Sequence, residues 1–211
     1  MPRVLSVNDV AGFRDRVCDV ATRLFAGKGT EGVTMRELAS ALGVSAMTPY
    51  RYFRDKDDIL AAVRARAFNR FADALEKAYS GPGTTIDRSR AARDAYIRFA
   101  LEEPATYRLM FDLSQPTETE YPDLVRAATR ARATMTRHVR DLIAEGTLEG
   151  DPELIGHVVW AALHGAVTLH LAGKLSPQFE PSAQYGIDNI VAEATRALGE
   201  GFRAGTGTRR G

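Results

Sequence analysis

Along almost the whole chain apolar residues recur at intervals of three and four, and no run alternates apolar with polar as a half-buried strand would. The pattern predicts an all-α fold broken at clusters of Gly and Pro. A first helix is expected over residues 10–26, with Phe13, Val17, Ala21 and Leu24 on one face. Short helices are expected next, within residues 34–53. A long helix over 56–79 carries a continuous stripe of Leu60, Val63, Ala67, Phe71, Ala74 and Ala78. At about 1.5 Å per residue it is long enough to leave a small head and enter a second domain. After the loop Ser-Gly-Pro-Gly-Thr-Thr at 80–85, helices are expected over 86–102, from Pro104, over 122–146, over 151–173 and over 183–198. The arginine face Arg126, Arg130, Arg137 and Arg140 reads as solvated. The 151–173 helix is apolar on nearly all sides and so demands cover on all sides. In a chain of this size that cover implies a second subunit, an isologous pairing through this helix and the next. The expected division is a head of residues 1–55, a second domain of 56–202 and a loose tail of 203–211.

The stretch 34–56 carries the most specific pattern. Thr34 followed by Glu37 is a capping box that fixes a helix start. Met35, Leu38, Ala39 and Leu42 fall at i, i+3, i+4 and i+7, which turns Arg36 and Ser40 outward. Gly43 can take a positive φ at no steric cost, Val44 tucks into the angle, and Ser45 is a good N-cap for a second helix over 45–53. Two short helices around a tight Gly-containing turn form a helix-turn-helix. In that motif the first residues of the second helix, here Ala46, Met47 and Thr48, meet base edges in the major groove. Tyr50, Arg51, Tyr52 and Arg54 supply donors suited to phosphate oxygens, and Phe53 suits the core. Pro49 lacks the N–H that should make the first intrahelical bond, so a widened first turn is expected there. Asp55 can cap the long helix, whose first residue, Lys56, reaches the DNA backbone.

These residues, with the amphipathic segment 14–28 before them, resemble the N-terminal domain of the tetracycline-repressor (TetR) family. The shared signature is a helix-turn-helix, a Tyr-x-Tyr/His-Phe string and a Lys-Asp/Glu-x-Leu helix start, here Tyr50, Tyr52, Phe53, Lys56 and Leu60. The resemblance implies that Tyr50 and Lys56 contact phosphates and that the residues around Ala46 to Thr48 read bases. Thr34, Arg36, Ser45, Arg51 and Tyr52 complete the expected DNA-facing set. It also implies a homodimer on a palindromic operator in double-stranded DNA, released by a small-molecule effector, and most often repression. Further along, Trp160, His164 and Gly165 form a Trp-x-x-x-His-Gly string similar to the C-terminal domain of one TetR subgroup. With these go an expected effector pocket walled by Tyr107, Met110, Phe111 and Trp160, with His164 as its polar handle.

Composition narrows the remaining classes. The chain has 211 residues, 45% hydrophobic and 26% charged, enough to bury a real core. The formal net charge is only +1, so DNA affinity has to come from a local patch. The single cysteine, Cys18, forbids an intrachain disulfide and fits a reducing cytoplasm; it reads as a packing residue. No signal-peptide pattern and no apolar run of bilayer length are seen, so a soluble cytoplasmic protein without a membrane partner is expected. His157 and His164 are two turns apart with no carboxylate at ligand spacing, which argues against a metal. No nucleophile elbow or P-loop is present, so neither a cofactor nor a catalytic residue is expected. The rival readings are a helical carrier or enzyme with a vestigial head, and an architectural DNA-binding protein without an effector.

Overall fold

The computed structural model describes residues 7–111, 118–175 and 185–205, and among these the fold is all-α. Eight α-helices follow in order: α1 (Val7–Lys28), α2 (Met35–Ala41), α3 (Lys56–Tyr79), α4 (Thr85–Glu102), α5 (Pro104–Met110), α6 (Pro122–Ala144), α7 (Pro152–Leu171) and α8 (Ile187–Gly201). Single 3-10 turns stand at Pro49–Arg51 and Glu118–Glu120. The chain divides into two compact units, residues 1–70 with 105–129, and residues 71–104 with 130–211.

In the first unit α1 packs on α2. Phe13, Val17, Ala21 and Phe25 of α1 meet Leu38 of α2, Phe53, Ile59, Leu60 and Val63 near the start of α3, and Leu109 of α5. Fully burying a large apolar side chain contributes about 1.5–3 kcal/mol, so this cluster dominates the unit's stability. The expected head of residues 1–55 lies wholly inside this unit, which runs on to residue 70 and takes in 105–129. The buried Arg64 ties that extension in, its guanidinium donating to the Met110 carbonyl at 3.1 Å. Phe68 meets Phe111 edge to face at 5.6 Å.

In the second unit α4 starts on a capping box, Thr84 with Asp87, one residue before the expected start. Phe71 of α3 packs edge to face on Tyr96 and Phe99 of α4. Tyr79 donates to Asp141 of α6 at 2.5 Å, and burial together with that carboxylate pushes its phenol up to about 12. The arginine face of α6 is solvated as expected, with Arg126, Arg137 and Arg140 exposed and Arg130 half-buried, and it is also paired. Arg130 bonds Asp73 and Glu76, Arg140 pairs with Glu153, Arg126 with Asp123, and Arg137 lies over the Tyr79 ring. Each stands within reach of an acid or a ring, and exposure alone did not foretell it.

Helix α7 packs on α8 and α4. Contrary to expectation it is long and apolar enough to cross a membrane by length and composition, with a mean hydropathy of 1.4 over 18 residues. Scattered histidines interrupt the apolar run without lowering its mean enough. A core helix of a soluble protein passes the same test, and contacts with α4 and α8 account for one side of α7. The start of the expected loose tail is not loose. Arg203 pairs antiparallel with Leu148, and the Ala204 N–H donates to the Thr147 carbonyl at 3.3 Å. Residues 206–211 of that tail and 183–184 of the expected last helix lie outside the described residues.

Candidate nucleic-acid interface and ligand cavity

Helix α2 starts as its sequence dictates. The Glu37 N–H donates to the Thr34 hydroxyl at 3.2 Å, and the Thr34 N–H donates to the Glu37 carboxylate at 2.9 Å. Lys28 bonds the same carboxylate at 2.8 Å, and this bond, ahead of those from Thr34, holds the Glu37 carboxyl below its usual range. The helix ends in a Schellman motif: Gly43 has φ +68°, its N–H meets Ser40, and the Val44 N–H meets Ala39. The turn is therefore fixed from both sides.

The segment after this turn does not form the expected helix over 45–53. The Thr48 N–H bonds the Ser45 carbonyl at 2.9 Å, Arg51 bonds Thr48 at 3.2 Å and Tyr52 bonds Pro49 at 3.0 Å, all three residues back. The expected widened turn at Pro49 is a tightened one. With no N–H at Pro49, the four-back bond to Ser45 cannot form, and the chain winds as a 3-10 turn. Ser45 likewise does not cap a helix, since its hydroxyl meets the Thr48 hydroxyl at 2.8 Å.

The side chains of this segment divide cleanly. Ser45, Ala46, Met47, Tyr50 and Arg51 are exposed, Met47 to 68% and Tyr50 to 48%, and Thr34 and Arg36 of the preceding element are exposed as well. Thr48 is half-buried and Pro49 buried. Tyr52 leans on Phe13 with ring centroids 4.4 Å apart, while its carbonyl accepts from Arg14. Arg14 in turn lies 4.1 Å over the Phe53 ring. Lys56 is half-buried, donating to the Thr30 carbonyl at 2.9 Å beside Glu31 at 3.8 Å. Two residues outside the expected set matter to this surface: Arg14, which braces its backbone, and Lys28, which locks the α2 cap. Nothing in their local sequence marks them beyond charge on the polar face of α1.

The expected effector residues stand in both units. Tyr107 and Met110 are buried in α5, and Phe111, next to the Tyr107 ring, is half-buried. Trp160 and His164 are half-buried on α7 with ring centroids 6.3 Å apart, and burial lowers the His164 pKa. None of the five lines the cavity found in the second unit, a space of about 850 Å³ among α4, α6, α7 and α8. Its walls include Tyr96, Met135, Val139, Leu142, Ile155 and Leu163, with His138 among them. Burial, partly offset by a bond to the Thr134 carbonyl and by Asp141, lowers the His138 pKa. Among the described residues no three His, Cys, Asp or Glu side chains gather as metal ligands would.

Residues 17–63 match the family model of bacterial regulatory proteins, tetR family, and residues 89–192 match the tetracyclin repressor-like C-terminal domain. The HTH-type transcriptional activator FasR of Mycolicibacterium smegmatis is 29% identical over 131 residues, 62% of this chain and 58% of that protein. Matches to the curated relatives span about half of the relatives' own length. Solved structures are covered more fully. A protein with unknown function from Rhodococcus sp. RHA1 superposes with a TM-score of 0.76 at 27% identity, over 90% of this chain and 95% of that one. The TetR family transcriptional regulator PfmR from Thermus thermophilus gives a TM-score of 0.65 at 23% identity, over 87% and 97%.

Proposed function

The chain belongs to the TetR family of DNA-binding transcriptional regulators, and from that premise we propose that it grips a palindromic operator as a homodimer and represses until a small molecule releases it. The observation that carries the DNA-binding half is the exposed segment after the Gly43 turn. A free surface gains nothing from a methionine exposed to 68%, but a major groove offers thymine methyl groups to it. In this reading Ala46, Met47 and Thr48 face bases, Tyr50 and Arg51 face phosphates, and Thr34, Arg36, Ser45, Tyr52 and Lys56 fix the register. The dimer is supported by α7. Leu154, His157, Ala161, Thr168 and Leu169 are exposed along one side of it, Leu154 to 60% and Leu169 to 48%. An isologous pairing would bury that side.

The effector belongs in the second unit, where the cavity falls within the ~300–1,000 Å³ of small-molecule sites. Trp160 and His164 each follow a wall residue, Val159 and Leu163, along α7. Coupling between the two sites of about 1–3 kcal/mol would lower operator occupancy several-fold to about a hundredfold. An operator blocked by occupancy alone gives repression; a reporter gene reads the sign directly.

Gel shifts against the DNA flanking the protein's own gene test the reading. Arg51→Ala should weaken binding similarly across sequences and flatten the salt dependence by about one unit of log–log slope. Thr48→Ala should change which inverted repeat is preferred. Equal effects of the two changes on sequence preference would contradict the division of labour, and indifference to every inverted repeat would remove the DNA-binding reading.

A further inference from the structure

Arginine is the commonest charged side chain lining the cavity. Arg90, Arg93, Arg196 and Arg203 line it, against a single carboxylate, Glu200. Arg90 and Arg93 lie one turn apart on α4, Arg196 is on α8, and Arg203 is held at the rim by its pairing with Leu148. Some of their donors are engaged. Arg90 pairs with Asp87 at 3.7 Å, Arg93 bonds Asp94 at 2.7 Å and Thr195 at 3.3 Å, and Arg196 bonds Glu193 at 2.5 Å and Glu200 at 2.7 Å. Arg203 makes no ion pair among the described residues. Each guanidinium has five N–H donors, so the group retains several for an incoming acceptor. The buried walls include Tyr96, Met135, Val139, Leu142, Ile155 and Leu163, apolar except for one phenol.

A neutral apolar ligand would leave the spare guanidinium donors of the lining unused. A cation would meet Arg203, which no carboxylate offsets among the described residues. We propose that this cavity takes an elongated apolar molecule ending in an acid group. Its chain lies among Met135, Val139, Ile155 and Leu163, and its carboxylate or phosphate on Arg93, Arg196 and Arg203. Arginine suits such a head because its planar fork gives two parallel bonds to a carboxylate or phosphate. The proposal rests on the reading of the second unit as effector-binding, and names the chemistry of what binds there.

Calorimetric titration of the intact protein with four ten-carbon probes, each below its micellar concentration, tests it. Decanoate and decyl phosphate are expected to saturate at one per chain, decanol to bind at least tenfold more weakly, and decyltrimethylammonium more weakly still. The ratio of decanoate to decyl phosphate separates a carboxylate site from a phosphate site. Changing Arg93→Met and Arg203→Met together should cost decanoate at least tenfold and leave decanol unchanged. Ala192→Trp, on an exposed lining position of α8, should block every probe without touching the core. Equal binding of decanol and decanoate by the unaltered protein would overturn the proposal, and needs no variant to fold. A gel shift run beside it keeps the two readings apart. Failure of both anions to bind a protein that still holds its operator sinks the ligand chemistry alone. Saturable anion binding that leaves operator occupancy unchanged supports the chemistry and sinks the effector role.

Discussion

Gly156 has no side chain because α6 stands where one would be. A Cβ at that position would lie 2.5 Å from the Thr136 methyl and 3.3 Å from the Met135 carbonyl. Neither the buried threonine nor the backbone can give way cheaply, so Gly156→Ala should destabilise by about 1–3 kcal/mol in urea unfolding. In a Thr136→Ser background, which removes the offending methyl, that penalty should shrink; an undiminished penalty would mean the clash is not the cause. Single residues of this kind were legible only where their signal is local. The Thr34 and Glu37 pair announced a cap because both partners sit three residues apart in one stretch of chain. The Thr84 and Asp87 pair has the same spacing and the same bonds, with the shorter acid in place of Glu. Gly156 gave no such signal, since its reason lies twenty residues upstream on α6.

Elements were readable to within a few residues wherever apolar spacing governs them. The long helix is expected over 56–79 and found at Lys56–Tyr79, and α4, α6 and α7 begin within one residue of expectation. The failure falls at 45–53, where one missing N–H outweighs a helical pattern only nine residues long. The ligand cavity was not legible either. Its walls come from α4, α6, α7 and α8, and no periodicity along one helix reports which faces of its neighbours it will meet. The all-round apolarity of α7 did report something true of the element, that one chain leaves part of it uncovered. Leu154→Glu with Leu169→Glu should therefore turn a dimer into a monomer in analytical ultracentrifugation while the helical circular dichroism persists. A variant that sediments unchanged would place the pairing elsewhere.

At the scale of the molecule, a net charge of +1 supplies almost no field, so acid and base act on this protein through particular groups. His138 is held neutral by burial, with its pKa depressed from the ordinary 6.5, and His164 follows for the same cause. The folded state then binds fewer protons than the unfolded chain. The stability they contribute is present above about pH 6.5 and is lost as pH falls below it. The thermal midpoint should drop between pH 7.5 and 5.5, and His138→Gln should flatten that drop; a slope unchanged by the substitution would assign it to other groups. The segment after Gly43 is tightened by bonds three residues back. Side chains three apart in a 3-10 winding stand in line, and the Ser45 and Thr48 hydroxyls, three apart, meet just before the 3-10 turn at Pro49–Arg51. At about 2.0 Å of rise per residue such side chains would stand about 6 Å apart, against about 6.8 Å for two base steps along the duplex axis. In the proposed dimer, two copies related by a twofold axis would present this spacing twice with opposite polarity, each near the axial rise of two base pairs.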